Sequence, residues 1–493
     1  MRLRYMAAAV LLIAAVIATG CYGISQATDA PDGAPWPGDA DVNAANSEQV
    51  PEATFEPSHG PSHGPAHGPE SDPATEPALD SATEPALDPS HGRESDPALD
   101  PSHGPESEPS PAPTPGPEPG SAIYSARLAF VGDLMAHDVQ KRYAYNPNDD
   151  TYSFISCYEL IKPYLNDADY TVGNLETPVA GKNATPMTGY NDWPLFNAPV
   201  EFAEALKECG FDLVTTANNH ANDMGEAGIL HTLEALNAIG LEHVGTNATS
   251  EDQEMVFIKE INNIRFAFLA YTSGLNSIPL PQGKRYLVNR INDDLIRRQI
   301  EYARQEGAEI VIVMPHMGEE FQGNPDEFAI TRAHDMCRLG ADIVMASHPH
   351  VLQPTEIFEI KNEDGSVRTC FIAYSMGNFI SGLDWKPCDA GAVFYLDFEK
   401  TEDEHGGGAR LVHASYAPTW VQCKDKDGNT KIRIRPVGDT LAAIESGEDV
   451  GLSERDIARL RGAHSGTTRR MSGEEAPDIC PVYTLYRYLR DDE

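Results

Sequence analysis

From Ser121 onward, short apolar runs alternate with helical patterns, and no other feature limits the possible folds so strongly. Runs of three to eight residues are too short for buried helices, and the segments between them carry apolar residues at helical spacing. Strands are expected at Leu128 to Val131, Tyr170 to Val172, Leu213 to Thr216, Ile264 to Tyr271, Ile310 to Met314, Ile343 to Ala346, Cys370 to Tyr374 and Ala392 to Phe398. Helices are expected at Cys157 to Leu165, Val200 to Cys209, Gly228 to Ile239, Asp293 to Gln305 and Pro325 to Leu339. Strands crossing over through helices make an α/β body with a largely parallel sheet. Near the end, Tyr416 to Cys423 and Lys431 to Val437 flank Asp427-Gly428, which predicts a C-terminal β-hairpin. Beyond Gly438 the chain is polar, with one expected helix over Ser453 to Arg461.

The first part of the chain reads differently. Arg2 and Arg4 precede an apolar run from Met6 to Ala18, too short to span a bilayer, which marks residues 1–21 as an export signal. The run ends Ala18-Thr19-Gly20-Cys21, resembling the lipobox of bacterial lipoproteins, so Cys21 is the expected lipidation site and the membrane the expected anchor. Residues 22–121 are Pro, Gly, Ser, His and acid with near-repeats such as Pro-Ser-His-Gly, and cannot bury enough apolar surface to offset chain entropy. They are expected to be a disordered linker carrying the folded part away from an extracytoplasmic membrane face.

Of the 76 Asp and Glu, 19 precede Ser121, together with 3 of the 36 Lys and Arg, which leaves −24 on the folded part. So acidic a body argues against nucleic-acid binding, which needs a basic surface. Apart from Cys21, seven cysteines lie scattered without CxxC spacing, which excludes zinc-finger and redox motifs and leaves any disulfide pairing open.

In open α/β sheets ligands bind beyond the carboxyl ends of the strands. Five expected strands end in metal-binding residue types: Gly132-Asp133-Leu134-Met135-Ala136-His137, Gly173-Asn174-Leu175-Glu176, Ala217-Asn218-Asn219-His220-Ala221-Asn222-Asp223, Pro315-His316-Met317-Gly318-Glu319, and Ser347-His348-Pro349-His350. Each alone also fits a cap, a turn or a solvated loop. Together, carboxylate oxygens and imidazole nitrogens suit one or two divalent ions, with Mn, Zn or Fe as candidates. The carboxylates and imidazoles expected to ligate are Asp133, Glu176, His316, His348 and His350. A sixth run, Ser375-Met376-Gly377-Asn378-Phe379, is expected to line the same rim, with Gly377 allowing close approach and Asn378 offering an amide.

These motifs, in this order from about Leu128 to Val437, resemble the bacterial CapA family, the poly-γ-glutamate capsule synthesis proteins. That family is similar in turn to calcineurin-like metallophosphoesterases, which implies a two-sheet sandwich flanked by helices. The resemblance sets a domain at 122–438 and a polar extension at 439–493. It matches Asp133 to the first metal-binding aspartate, Asn219 to the metal-binding asparagine, His220 to the catalytic histidine, and His316 with His348 and His350 to the last histidine motifs. Met135 stands where the phosphoesterases carry a histidine, and Asn174 where they carry a bridging aspartate, with Glu176 two residues on. His137 is a candidate for the missing imidazole, and Glu319 one for orienting His316.

The implied chemistry is metal-dependent hydrolysis, with Asp133 and His220 in catalysis and Asn174, Asn218 and Asn378 contacting substrate. The substrate would be poly-γ-glutamate or a phosphoester, and capsule-synthesis membrane proteins are implied partners. Three roles compete: a capsule synthesis, export or retention protein; a general metallophosphoesterase; and a polymer-binding module without catalysis.

Overall fold

The computed structural model describes residues 122–488, apart from 185–188, 363, 403–406, 475 and 477. The signal, Cys21 and the whole of the expected linker lie outside the described residues. Two mixed sheets form the body, which corrects the single, largely parallel sheet expected from periodicity and agrees with the two-sheet sandwich implied by the resemblance. In the larger sheet the strands run, in hydrogen-bonded order, Thr430–Pro436, Gly408–Lys424, Ala390–Glu402, Ala122–Leu134, Tyr170–Leu175, Leu213–Thr215 and Glu242–Val244. Asn378–Ile380 pairs with the Ala122 strand, and Tyr483–Arg487 with the Gly408 strand. The second sheet runs Thr355–Lys361, Val367–Ala373, Ile343–Met345, Ile310–His316, Ile264–Thr272 and Phe257–Ile261.

Strand alternation explains the layers. Successive side chains point to opposite faces. Leu128 and Phe130 face a core shared with Phe266, Phe268, Ile310, Ile312, Ile343 and Met345 of the other sheet. Ala129 and Val131 face the opposite side, against Phe202 and Leu206 of the helix Glu201–Cys209. On the far face of the second sheet, Val311, Val313 and Val344 pack on Ile296 and Ile300 of Asp293–Gln305 and on Ala333 and Met336 of Glu327–Leu339. Those two helices begin where Asn292 and Asp326 accept backbone N–H bonds from Leu295 and Ala329. The second of them ends at Gly340, whose φ of +120° few other residues adopt. Cys337 on this helix is joined to Cys370 in the adjacent strand.

The hairpin forms as expected, with Trp420 opposite Arg435 and Gly428 at a φ of +85° in its turn. The helix expected over Cys157 to Leu165 is instead a 3-10 turn, Ile155–Cys157, and a single turn, Lys162–Leu165, with Pro163 as its second residue. Beyond Gly438 there is more order than the polar composition suggested. The helices Val437–Glu445 and Glu454–Ser472 pack together through Val437, Leu441 and Leu460, and Tyr483–Arg487 completes an edge of the large sheet. No helix among the described residues is long and apolar enough to cross a membrane.

Candidate metal centre

Register delivers the site. Within the large sheet Asp133 pairs with Asn174 on one side and Asn378 on the other, and Asn174 pairs with Thr215. All four therefore stand in one row at the same end of the sheet. Gly132 permits this row to close, since a Cβ there would lie 1.8 Å from Gly377 O, the carbonyl that accepts from Asp133 N at 2.9 Å. In the second sheet, His316 ends its strand and bridges to Ser347, the residue that opens the His-Pro-His turn. His348 and His350 in that turn have φ values of +108° and +58°. Positive φ is costly for residues with a Cβ, so the surrounding structure holds both imidazoles in place, a feature typical of functional sites.

Two groups of ligand atoms converge there. Glu176, His316 and His348 form one, and Asp133, Glu176 and His350 the other, with Glu176 common to both. Glu176 is fully buried, and its Oε1 has no hydrogen-bond partner although it lies 3.3 Å from His316 Nε2 and 3.8 Å from His350 Nε2. His316 Nε2 also lies 2.9 Å from Asn219 Oδ1 and 3.0 Å from His348 Nδ1. A carboxylate oxygen, an amide oxygen and two ring nitrogens thus crowd one point, and a single proton on one ring cannot serve all these lone pairs. This donor set fits a divalent cation. With Nε2 as the ligand atom, His316 Nδ1–H has Ser347 Oγ at 3.0 Å as its acceptor, the usual way a ligating imidazole is oriented.

Electrostatics agree with that fit. Burial, then the neighbouring Asp133 carboxylate, pushes the Glu176 acid well above the ordinary carboxylate range. Burial and the neighbouring imidazoles hold His316 well below the ordinary histidine range, and His348 at about 3, so both rings are neutral and able to ligate. For His350, burial is outweighed by Asp133 Oδ2 at 3.0 Å from Nδ1, which raises it.

The other expected residues surround this core. His220 Nδ1 lies 2.7 Å from Asp223 Oδ2, with its ring edge-on to Phe196 at 4.7 Å. Asp223 closes the run containing Asn218-Asn219-His220, and its spacing of three from His220 is the sequence signal for this pairing. The three amides expected to contact substrate each make hydrogen bonds within the protein. Asn174 donates to Asp133 Oδ1 at 2.8 Å and accepts from Thr215 Oγ1 at 2.9 Å. Asn218 donates to Leu175 O at 2.8 Å, and its Oδ1 is buried without a partner. Asn378 donates to Cys388 O at 3.0 Å and turns its Oδ1 to His350 Nδ1 at 3.0 Å. These contacts aim Asp133 and His350. His137 lies outside both ligand groups: its Nδ1 accepts from Gly382 N at 3.0 Å and burial lowers it to about 4. Buried Met135 brings no ligand atom, and Glu319 is exposed.

Comparison with known proteins places this arrangement. Residues 127–383, the stretch that carries every residue of the cluster, match the family described as bacterial capsule synthesis protein PGA_cap. The capsule biosynthesis protein CapA of Bacillus anthracis is 29% identical, the alignment covering 46% of this chain and 53% of that protein. The PGA biosynthesis protein CapA of Bacillus subtilis (strain 168) is 27% identical over 52% of this chain and 63% of that one. The chain therefore spans only a little over half the length of these curated relatives. Among solved structures, the NAD nucleotidase NadN of Haemophilus influenzae aligns with a TM-score of 0.36 at 13% identity, covering 69% of this chain and 67% of that one. The calcineurin-like phosphoesterase YfkN of Bacillus subtilis aligns with a TM-score of 0.32 at 13% identity, over 66% of this chain and 98% of its own. With more than half of its residues matched by one family, and the whole cluster inside the match, the chain belongs to the bacterial capsule synthesis PGA_cap family.

Proposed function

We propose that this protein is a metal-dependent hydrolase acting in the synthesis, export or retention of a poly-γ-glutamate capsule, tethered outside the cytoplasm through a lipid on Cys21. The observation that carries the hydrolase reading is Glu176 Oε1, buried without a hydrogen bond and common to both groups of ligand atoms. His316 and His348, with Asn219 beside them, would hold one divalent ion; Asp133 and His350 would hold a second; Glu176 would serve both.

Ions bound there would polarise the scissile group and activate water near neutral pH. The chain's own residues supply the rest. Asp223 accepts from His220 Nδ1–H, which leaves Nε2 to take a proton from the attacking water; the imidazolium so formed, stabilised by Asp223, then passes that Nε2 proton to the leaving group. Phe196 against the His220 ring limits its rotation and keeps water off one side. Asn174, Asn378 and Ser347 fix Asp133, His350 and His316, so little reorganisation precedes reaction.

The capsule role draws support from family membership and from the names of the two Bacillus relatives. The test incubates the Mn²⁺-loaded full chain with γ-linked glutamate oligomers and, separately, with simple phosphoesters. Cleavage of the oligomers, lost in His220→Ala, supports the reading. Turnover of phosphoesters alone moves the function to general phosphoester hydrolysis, and no turnover of either leaves binding without catalysis.

A further inference from the structure

The mouth of the metal cluster carries two large aromatic side chains that packing does not require. Phe321 and Trp385 are 41% and 43% exposed, yet their rings touch at 5.0 Å between centroids, and the Phe321 ring lies 5.7 Å from that of His350. Phe321 also has a φ of +65°, where a bulky side chain is strained and Gly or Asn would not be. This position thus combines backbone strain with exposed apolar surface, and observed strain of this kind points to function.

Hydrogen bonds fix the backbone around both residues. Phe321 N donates to Pro349 O at 2.8 Å, which fastens it to the His-Pro-His turn. Gln353 Nε2 donates to Gln322 O and Asn324 O at 3.0 and 3.1 Å. Trp385 lies between two points gripped by Arg459 of the helix Glu454–Ser472: the Asp384 carbonyl, and Asp389 Oδ2 at 2.6 Å. Asp389 also accepts from Trp420 Nε1 at 2.8 Å. The C-terminal helix, outside the family match, therefore sets one side of the mouth.

We infer that Phe321 and Trp385 form a subsite for the uncharged segment, methylenes and amide, of the glutamyl unit next to the one at the metal centre. This inference rests on the poly-γ-glutamate reading above. Two observations favour such an occupant. Exposed Glu319 and Glu320 adjoin Phe321, so this side of the mouth repels carboxylates and must grip the polymer between them. The rings meet at 59°, which makes a V-shaped notch for a flexible chain and offers no pair of parallel faces for a flat ring.

The test uses the Mn²⁺-loaded full chain and titrates a γ-linked glutamate oligomer by calorimetry, with Mn²⁺ alone titrated in parallel. Phe321→Ala and Trp385→Ala are expected to weaken oligomer binding by about tenfold or more, with Trp385→Phe retaining most of it. Mn²⁺ affinity should stay within about twofold for all three, since none offers a ligand atom. Oligomer binding at wild-type affinity in both alanine variants, with loss in Glu176→Gln, would overturn the subsite and leave the functional reading standing. A parallel fall in Mn²⁺ affinity would also overturn it, by making the rings supports for His350. Wild-type protein that ignores the oligomer would overturn the functional reading and this occupant together.

Discussion

Glu176→Gln should change stability in opposite directions with and without metal. The side chain is fully buried, Oε1 lacks a hydrogen bond, and burial with Asp133 raises its pKa. Burying this carboxyl with so few partners costs the metal-free protein stability at pH 7, through desolvation of the charge or through the proton needed to neutralise it, and a neutral amide of the same shape should recover about 1–3 kcal/mol. The sign follows from linkage. A carboxyl raised in the folded state favours folding at low pH, and that contribution fades as pH rises through the folded value. The gap between variant and wild type should therefore vanish below about pH 4 and open upward. Metal reverses the order. At a hundred times its dissociation constant, Mn²⁺ would add about 2.7 kcal/mol to the wild type, but only about 0.4 kcal/mol to a variant binding a hundredfold more weakly. Urea denaturation with EDTA and with Mn²⁺ measures both arms. A variant destabilised in EDTA, or stabilised by Mn²⁺ as much as the wild type, would refute the shared-ligand geometry.

Other predictions probe the remaining links. His220→Ala should lower the hydrolysis rate by about 10²–10⁴-fold, with Mn²⁺ affinity unchanged by calorimetry. Asp223→Asn should reproduce part of that loss, because the Nδ1 acceptor is what sets the ring's tautomer. Arg459→Ala leaves the Asp389 carboxylate, 2% exposed, with the Trp420 indole N–H, and should cost about 3 kcal/mol in urea denaturation. Cys337→Ala/Cys370→Ala opens a loop spanning 33 residues and should cost about 3–4 kcal/mol by the same assay, with dithiothreitol lowering only the wild type.

Much of the fold could be read directly because both faces of the central strands are buried. Ile310 to Met314 and Ile343–Met345 are continuous apolar runs with no competing pattern. The edge strand Thr355–Lys361 is not legible in the sequence because it is half exposed, so Glu356, Glu359 and Lys361 break up its apolar pattern. Tyr483–Arg487 is short and borrows its partner from Gly408–Lys424, far away in sequence. The site divides in the same way. Asp133 and His316 lie on strands, so strand ends located them. The sharing of Glu176 depends on how two sheets face each other, which no local pattern encodes. The positive φ values of His348, His350 and Phe321 are imposed by tertiary contacts, and nothing in their residue types announces them. The hydrogen bonds of Asn174 and Asn378 are not legible locally, because their partners Asp133 and His350 come from a distant strand and from the His-Pro-His turn.

Anomalous diffraction from a crystal of the full chain grown with Mn²⁺ tests the central claim directly. Two peaks are expected, both in contact with the Glu176 carboxylate, one beside His316 and His348 and the other beside Asp133 and His350. Mn²⁺ peaks only elsewhere, or protein that binds none while Glu176 stays buried and unpaired, would contradict the account.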